Sequence, residues 1–218
     1  PITATLQGNT PQELTVTLTG VPSDWTITTG ANNGTYNAST GTWTITMPAN
    51  QDYGGGLTFT PPADSDVDLT GLTVTASARN TSSGVTLTSN TSGQVIVDAV
   101  ADTPNVDAGA DSTVTAGQSV ALNISNAVTD TDGSESLGNV TISGVPVGYS
   151  LTVGTDMGGG VWEVTQAQLA NVRLNTPANG SGDVTLSVSV TATEAVTDTD
   201  FDLTNNAATN TDTVVVTV

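Results

Sequence analysis

The chain has 218 residues and carries 21 Asp and Glu against 2 Lys and Arg, which gives a formal net charge of −19 at pH 7. This balance excludes nucleic acid as a partner and disfavours anionic membrane surfaces, because phosphate binding needs clusters of positive side chains, and only Arg79 and Arg173 are positive. The absence of Cys excludes disulfides and thiolate chemistry, and because His is absent too, we expect no enzymatic activity.

Thr alternates with Val, Leu and Ile in short runs, and aromatic residues make up only 4% of the chain. A period of two is typical of half-buried strands. No run of about 18 apolar residues is present, so no membrane insertion is expected. The sequence therefore predicts an all-β protein with an aliphatic core.

A first module is predicted over residues 1–99. Its landmarks are a Gly-Val-Pro turn at 20–22 and a Gly-Thr-Trp segment that ends at Trp43. Its first turn, 7–13, keeps a single acid, Glu13. A later turn carries three acids at alternate positions, namely Asp64, Asp66 and Asp68.

A second module, over residues 100–218, repeats these landmarks in the same order. Gly-Val-Pro recurs at 144–146, and Trp162 corresponds to Trp43. The small, acidic segment 98–107 between the copies contains one proline and is interpreted as a linker. Two copies of one pattern indicate two tandem domains.

Seven short strands separated by Gly, Pro, Asn and Asp are predicted in the second module. They lie near 118–126, 137–144, 149–154, 161–165, 172–176, 183–194 and 212–218. A single helical turn at most interrupts them, at 166–170. This pattern is typical of an immunoglobulin-like antiparallel sandwich, so we expect two tandem sandwiches end to end. Trp43 and Trp162 are interpreted as core or rim residues at equivalent positions, with ligand stacking as the alternative.

The acidic turn 130–135 of module two is the first candidate metal site. Asp130, Asp132 and Glu135 flank Gly133, and alternating oxygen donors around a glycine can wrap a calcium ion. If successive strands alternate in direction, Asp183 lies at the same end of the sandwich, facing away from module one. A solvated Asp/Gly turn without an ion is the alternative.

The same counting of strand directions predicts a second group of carboxylates, at the junction of the modules. A divalent ion there would relieve their mutual repulsion and stiffen the joint. The expected contributors are the turn acids Asp64, Asp66 and Asp68, the linker acids Asp98 and Asp102, and the last-loop acids Asp198, Asp200 and Asp202.

Several segments of module two together resemble the tandem extender repeats of giant RTX adhesins that bacteria secrete through type I systems. These segments are DTDGSESL at 130–137, VTISGVP at 140–146, Trp162, and TPANGSGDVTLSVSVTATE at 176–194. Module one resembles the same repeats, with a degenerate first turn and a longer middle loop at 31–40. The resemblance implies cadherin-like or immunoglobulin-like modules on the bacterial cell surface, extracellular and calcium-dependent. They would contact neighbouring modules of the same chain and project a ligand-binding region for attachment and biofilm formation.

The alternative is that the chain itself binds a ligand, either as a calcium-dependent sugar- or peptide-binding module or as an extender that hosts an inserted ligand-binding domain. Exposed aromatic side chains would support such a role. The candidates are Trp25, Tyr36 and Tyr53, of which the two tyrosines have no counterpart in module two.

Overall fold

A computed structural model describes residues 1–8, 10–29, 34–195 and 202–218. The chain divides into two compact units, Pro1–Val97 (unit 1) and Asp98–Val218 (unit 2). Each unit has a hydrophobic core of its own. The prediction of an all-β protein is confirmed, since strands make up most of the regular structure in both units.

Unit 1 is built from short strands and two long ones. In chain order these are β1 (Ile2–Ala4), β2 (Gln12–Thr19), β3 (Thr26–Thr29), β4 (Thr35–Asn37), β5 (Thr42–Thr46), β6 (Tyr53–Gly55), β7 (Leu57–Thr60), β8 (Leu69–Asn80) and β9 (Thr86–Val95). Within the described part of the unit, five strands form an antiparallel sheet in the order β4-β5-β2-β8-β9. The pairs β1-β6 and β3-β7 complete the unit.

The core of unit 1 follows the alternation of β2. Leu14, Val16 and Leu18 are buried, while the residues between them are less buried. Trp43 of β5 is 0% exposed and packs in the same cluster. Burial of these side chains supplies about 1.5–3 kcal/mol each, which offsets the entropy of ordering the strands.

Unit 2 contains the remaining strands. They are β10 (Asn105–Asp107), β11 (Ser112–Thr113), β12 (Ser119–Ala121), β13 (Ser125–Ala127), β14 (Glu135–Leu137), β15 (Val140–Ser143), β16 (Ser150–Leu151), β17 (Thr155–Gly158), β18 (Val161–Val164), β19 (Arg173–Asn175), β20 (Asp183–Glu194) and β21 (Ala207–Thr217). A 3₁₀ helix spans Gln166–Asn171, where the sequence predicts a single helical turn.

Two sheets enclose the core of unit 2. As far as unit 2 is described, the larger sheet has seven strands, in the order β11-β21-β20-β15-β18-β17 with β14 on the end of β20, and the smaller has the order β12-β19-β16. Ile142, Val188 and Val214 of the larger sheet share one buried cluster with Leu151 and Leu174 of the smaller. Unit 2 is therefore sandwich-like.

The repeat that the sequence indicates is visible in the local structure of both units. Gly20 and Gly144 have φ of +93° and +87°, and a Cβ on either would meet a backbone carbonyl oxygen at 2.7 or 2.5 Å. The N–H of the next residue, Val21 or Val145, donates to the carbonyl of Gly41 or Gly160, at 3.3 or 3.1 Å. These turns need glycine for its conformation and its lack of a side chain.

The first part of unit 2 differs from its prediction. One strand was expected near 118–126, but the chain forms β12 and β13 there, and β10 comes earlier, at Asn105–Asp107. β10 pairs antiparallel with β13. A run of only three residues carries too little alternation to be recognised in sequence, and its pairing partner stabilises it instead.

No helix among the described residues is long and apolar enough to cross a membrane.

Candidate metal centre

The turn after β13 is organised by its own carboxylates. Asp130 accepts hydrogen bonds from the N–H groups of Asp132 (3.1 Å) and Gly133 (2.9 Å), and Asp132 accepts one from Ser134 N–H (2.9 Å). Gly133 has φ of +90°, a conformation that glycine adopts readily. Desolvation alone would raise the pKa of Asp130, but the hydrogen bonds from Asp132 and Gly133 outweigh it, so the pKa lies below its ordinary value. Asp130 is thus a stable anion.

Glu135, at the start of β14, has the opposite character. One carboxylate oxygen accepts a hydrogen bond from Asp102 N–H, while Oε2 is buried and has no hydrogen-bond partner among the described residues. Desolvation raises the pKa of Glu135, and the charges of Asp130, Asp102 and Asp132 raise it further. Burial and the neighbouring carboxylates therefore both disfavour the anionic form of Glu135, and a positive charge nearby would favour it.

Asp102 brings the third carboxylate. A carboxylate oxygen of Asp102 lies within 4.8 Å of one of Asp130. Calcium–oxygen distances of about 2.3–2.6 Å allow two ligands of one ion to be up to about 5 Å apart. Asp102 and Asp130 therefore present carboxylate oxygens at a spacing that fits a hard divalent cation, and Glu135 adjoins them through the hydrogen bond from Asp102 N–H.

The pairing of β10 with β13 explains why Asp102 lies here. Asn105 is opposite Ala127 in this antiparallel pair, so the residues before β10 run beside those after β13. Thr129 Oγ1 accordingly donates to Thr103 O at 3.0 Å. The prediction that the 130–135 turn lies at the opposite end of the module from the linker is wrong, because the unrecognised strand β10 changes the count of strand directions.

The last loop of unit 2 contacts the linker residue Asp98 through Asp202 and Asn205. Asp98 Oδ1 accepts a hydrogen bond from Asp202 N–H at 3.2 Å, and its Oδ2 accepts one from Asn205 Nδ2 at 3.0 Å. Ala101 N–H also donates to Asn205 O at 3.0 Å. Asp98 therefore anchors the loop by hydrogen bonds. Asp198 and Asp200, predicted with Asp202, lie outside the described residues.

Asp183 does not join the acidic turn. It is the first residue of β20, where Thr217 Oγ1 donates to its Oδ1 at 2.6 Å. Glu135 is paired with Glu194, the last residue of the same strand. At about 3.3 Å per residue, the length of β20 separates Asp183 from the turn, so the predicted grouping of the two is wrong.

The three acids of unit 1 lie in the loop between β7 and β8. Asp64 has φ of +61°, a conformation that Asp and Asn tolerate better than most residues. Asp68 Oδ1 accepts a hydrogen bond from Val97 N–H at 2.9 Å. Asp66 lies between them. Asp68 thus has a structural role in holding the end of unit 1.

The aromatic candidates for ligand binding are not exposed platforms. Trp25 and Tyr53 are 4% and 2% exposed, and burial raises the pKa of the Tyr53 hydroxyl. The Tyr53 ring packs on Trp43 with centroids 5.6 Å apart. Tyr36 is half-buried and donates to Pro22 O at 3.4 Å. All three take part in the packing of unit 1, so none of them is the exposed platform that the ligand-binding alternative calls for.

A groove in unit 2 was missed by the sequence reasoning. It has a volume of about 540 Å³ and is lined by Tyr149, Asp156 and Trp162, among others. Trp162 is half-buried, whereas its counterpart Trp43 is 0% exposed. The shorter loop between the landmarks of module two is the sequence signal that could have indicated it.

The candidate centre of unit 2 is thus the pair Asp102 and Asp130, with Glu135 beside it through the hydrogen bond from Asp102 N–H. No protein-family model matches the chain, and no curated protein matches it.

Proposed function

We propose that the chain is a calcium-stiffened extender segment of a bacterial surface adhesin. In this proposal the two units are tandem immunoglobulin-like or cadherin-like modules, arranged end to end outside the cell. They project a ligand-binding region for attachment and biofilm formation. The resemblance of 130–137, 140–146 and 176–194 to RTX adhesin extenders supports this class of function.

The observation that carries the proposal is the geometry of Asp102, Asp130 and Glu135. Two of these carboxylates approach within 4.8 Å, and Glu135 Oε2 is buried without a hydrogen-bond partner in the described structure. The whole chain supplies only 2 Lys and Arg to neutralise 21 acids. A divalent cation would provide the missing positive charge and bind the oxygen atoms that face one another.

Calcium suits the site better than a transition metal. Its donors are carboxylate oxygens, which hard cations prefer, and the chain contains no Cys or His. Extracellular calcium modules bind with dissociation constants of about 10⁻⁴–10⁻³ M. The site would therefore fill outside a cell and stay empty inside it, so the linker region of unit 2 would become rigid only after secretion.

Thermal unfolding in calcium and in chelator tests the metal site. At a calcium concentration ten times the dissociation constant, binding to the folded state adds about 1.4 kcal/mol to the free energy of unfolding. We expect calcium to raise the melting temperature of the wild-type chain by several degrees. The double variant Asp130→Asn/Glu135→Gln should lose most of this rise.

Asp183→Asn is the matched control for that experiment. It removes one acidic charge from the same unit, at the opposite end of β20, so its calcium response should equal that of the wild type. An identical response from the double variant would refute the site. A loss of response in all variants alike would indicate a general charge effect.

The extender role needs its own test, by small-angle X-ray scattering of the chain with calcium. Two modules end to end, each about ten residues tall, predict a particle about 70–90 Å long. A compact particle in calcium would contradict the extender role while leaving the metal site intact.

A second candidate function is sugar binding by unit 2. The Tyr149–Trp162 groove combines partly exposed rings with the carboxylate of Asp156, and aromatic faces with a nearby hydrogen-bond acceptor suit a sugar ring. Trp162→Ala should abolish retention on a glycan array if this candidate holds. Absence of any bound glycan for the wild-type chain would remove it.

A further inference from the structure

The Tyr149–Trp162 groove of unit 2 has a counterpart in unit 1 that is filled by a side chain. The hairpins at the two places share one register: Asp156 lies opposite Trp162 in the pair β17-β18, and Tyr36 lies opposite Trp43 in the pair β4-β5. Directly opposite residues of an antiparallel pair are on the same face of the sheet. Asp156 therefore stands where unit 1 has Tyr36.

The turns beside these hairpins correspond as well. Trp25 N–H donates to Pro22 O at 3.2 Å, and Tyr149 N–H donates to Pro146 O at 3.0 Å. In unit 1 the same carbonyl accepts a second hydrogen bond, from the Tyr36 hydroxyl at 3.4 Å. A carbonyl oxygen has two lone pairs, and a carboxylate has no proton to donate. The side chain that replaces Tyr36 in unit 2 therefore cannot donate the corresponding bond to Pro146 O, and this acceptor has room for a hydroxyl group from outside.

Burial shows the effect of this difference. Trp43 is 0% exposed, and Tyr36 packs against its cluster. Trp162 is half-buried and lines the groove of about 540 Å³. Gly158 and Gly159 form part of the rim, and a Cβ on either would meet nothing within 4 Å. The hairpin turn of unit 2 thus provides no side chain there to close the groove.

The rim of the groove is mostly apolar. Val147 is fully exposed, and Met157, next to the lining residue Asp156, is 62% exposed. Asp156 is the single charged residue among the described lining residues. Adjacent exposed apolar side chains are typical of protein-binding surfaces. A sugar, with a hydroxyl on most of its carbons, would meet few polar side chains here, so these residues favour a protein partner.

We infer that the groove of unit 2 is a receptor site for an exposed tyrosine side chain of a partner protein. The incoming ring takes the place that Tyr36 takes in unit 1, beside Trp162, and its hydroxyl donates to Pro146 O. Aromatic rings attract each other beyond the area that they bury. Tyrosine combines such a ring with the hydrogen-bond donor that the carbonyl can accept.

The chain itself does not supply this tyrosine. It contains three, Tyr36, Tyr53 and Tyr149, and all three are buried or half-buried. A second copy would also bring a net charge of −19, which opposes association. The partner is therefore a different polypeptide, and the carboxylate of Asp156 at the groove favours a Lys or Arg beside the tyrosine that binds.

This site does not depend on the metal centre. Gly144, next to the groove, lies so close to β20 that a Cβ on it would meet Thr185 O at 2.5 Å. Glu135 is opposite Glu194, at the other end of that strand. The two proposals can therefore fail separately, and the double variant Asp130→Asn/Glu135→Gln should bind the tyrosine as the wild type does.

NMR titration of the isotope-labelled chain with the blocked peptide acetyl-Gly-Ser-Tyr-Lys-Ser-Gly-amide tests the inference. The chain has three tryptophans, whose indole N–H signals are separate reporters. We expect a saturable shift of the Trp162 signal and little change for the buried Trp25 and Trp43. A peptide with Phe in place of Tyr should bind about two- to tenfold more weakly, because it lacks the hydrogen bond to Pro146 O. A peptide with Ala there should not bind.

Asp156→Tyr should abolish binding, because it gives unit 2 the residue that fills the corresponding place in unit 1. Its fold should persist for the same reason. Thr155→Tyr is the matched control, since neighbouring residues of a strand point to opposite faces, and Asp156→Asn controls for the lost charge. Both control variants should bind the Tyr peptide within about fivefold of the wild type.

Three results would overturn the inference: absence of binding, equal binding of the Tyr and Ala peptides, or equal losses in Asp156→Tyr and Thr155→Tyr. Titration with the methyl glycosides of glucose, galactose and mannose separates the remaining occupant. A saturable shift of the Trp162 signal with one of these sugars, and none with the Tyr peptide, would assign the groove to a sugar and would overturn the inference too.

Discussion

Asp130 and Glu135 lie in one turn and have their pKa values displaced in opposite directions. Asp130 is held below its ordinary value despite desolvation, by hydrogen bonds from Asp132 and Gly133. Glu135 is raised, first by desolvation and then by the charges of Asp130 and Asp102. The turn therefore contains one carboxylate whose anionic form is favoured and one whose anionic form is disfavoured, and the second would gain most from a nearby cation.

In calcium-free protein, Glu135→Gln should increase stability at pH 7. A raised folded-state pKa means that stability falls as the pH rises from the ordinary value of Glu to the raised one. Gln keeps the oxygen that accepts the Asp102 N–H bond. It also removes a charge directly opposite Glu194, and relieving such a like-charge pair is worth about 0.2–1 kcal/mol.

Urea unfolding of both chains in chelator, at pH 4 and pH 7, measures this difference. The advantage of the Gln variant should be larger at pH 7. An equal advantage at the two pH values would show that ionisation of Glu135 does not destabilise the folded protein.

Asp98→Ala should destabilise unit 2, because Asp98 anchors the last loop through Asp202 and Asn205. The loss of its two hydrogen bonds leaves part-buried donors unsatisfied, at a cost of about 1–3 kcal/mol. The midpoint of urea unfolding checks it. Asp24→Ala removes the same charge from an exposed position of unit 1 and should cost less than about 0.5 kcal/mol.

At the scale of elements, the two units differ in the strand that follows the longest strand of each, which is β9 after β8 in unit 1 and β21 after β20 in unit 2. β21 buries Val214 and Val216 and is flanked by β11. β9 has Gly93 where β21 has Val214, since Gly93 lies opposite Leu72 as Val214 lies opposite Leu186. Glycine in a strand has no side chain to pack and costs conformational entropy.

Gly93→Val should therefore stabilise unit 1 by about 0.5–1 kcal/mol, since the position has open space for the side chain. The reverse change in unit 2, Val214→Gly, opens a cavity in the core and should cost about 3 kcal/mol. Denaturant midpoints of both variants give the two values. A destabilising Gly93→Val would show that β9 needs glycine for another reason.

At the scale of the whole molecule, each unit has a separate hydrophobic cluster. We expect scanning calorimetry to show two transitions. Leu18→Ala should lower the melting temperature of unit 1 only, and Leu186→Ala that of unit 2 only. Both side chains are buried, so each change should reduce the free energy of unfolding of its unit by about 2–5 kcal/mol.

The same experiment shows which unit binds calcium. If Asp102, Asp130 and Glu135 bind the ion, calcium must raise the transition that Leu186→Ala lowers. A calcium effect confined to the transition that Leu18→Ala lowers would place the ion elsewhere.

Strands with long, regular alternation were predictable from sequence. The span predicted at 183–194 is the span of β20. Six buried side chains alternate there with exposed or half-buried ones, and this period of two defines the strand. The Gly-Val-Pro turns were predictable for a related reason: each contains a glycine that no other residue can replace at its φ and its contact distance. The carboxylates of the 130–135 turn were identified by their spacing.

The sequence by itself determined the all-β class, the repeat of its landmarks and the identity of the acidic turn, because these depend on local periodicity and on backbone conformation. Only the tertiary structure decided which acids meet. The three-residue strands β10 and β13 exist because they pair with each other, and their pairing brings Asp102 to Asp130 and leaves Asp183 at the other end of β20. It also decided that Tyr53 is buried. Such outcomes depend on contacts between residues far apart in the chain, which local patterns do not encode.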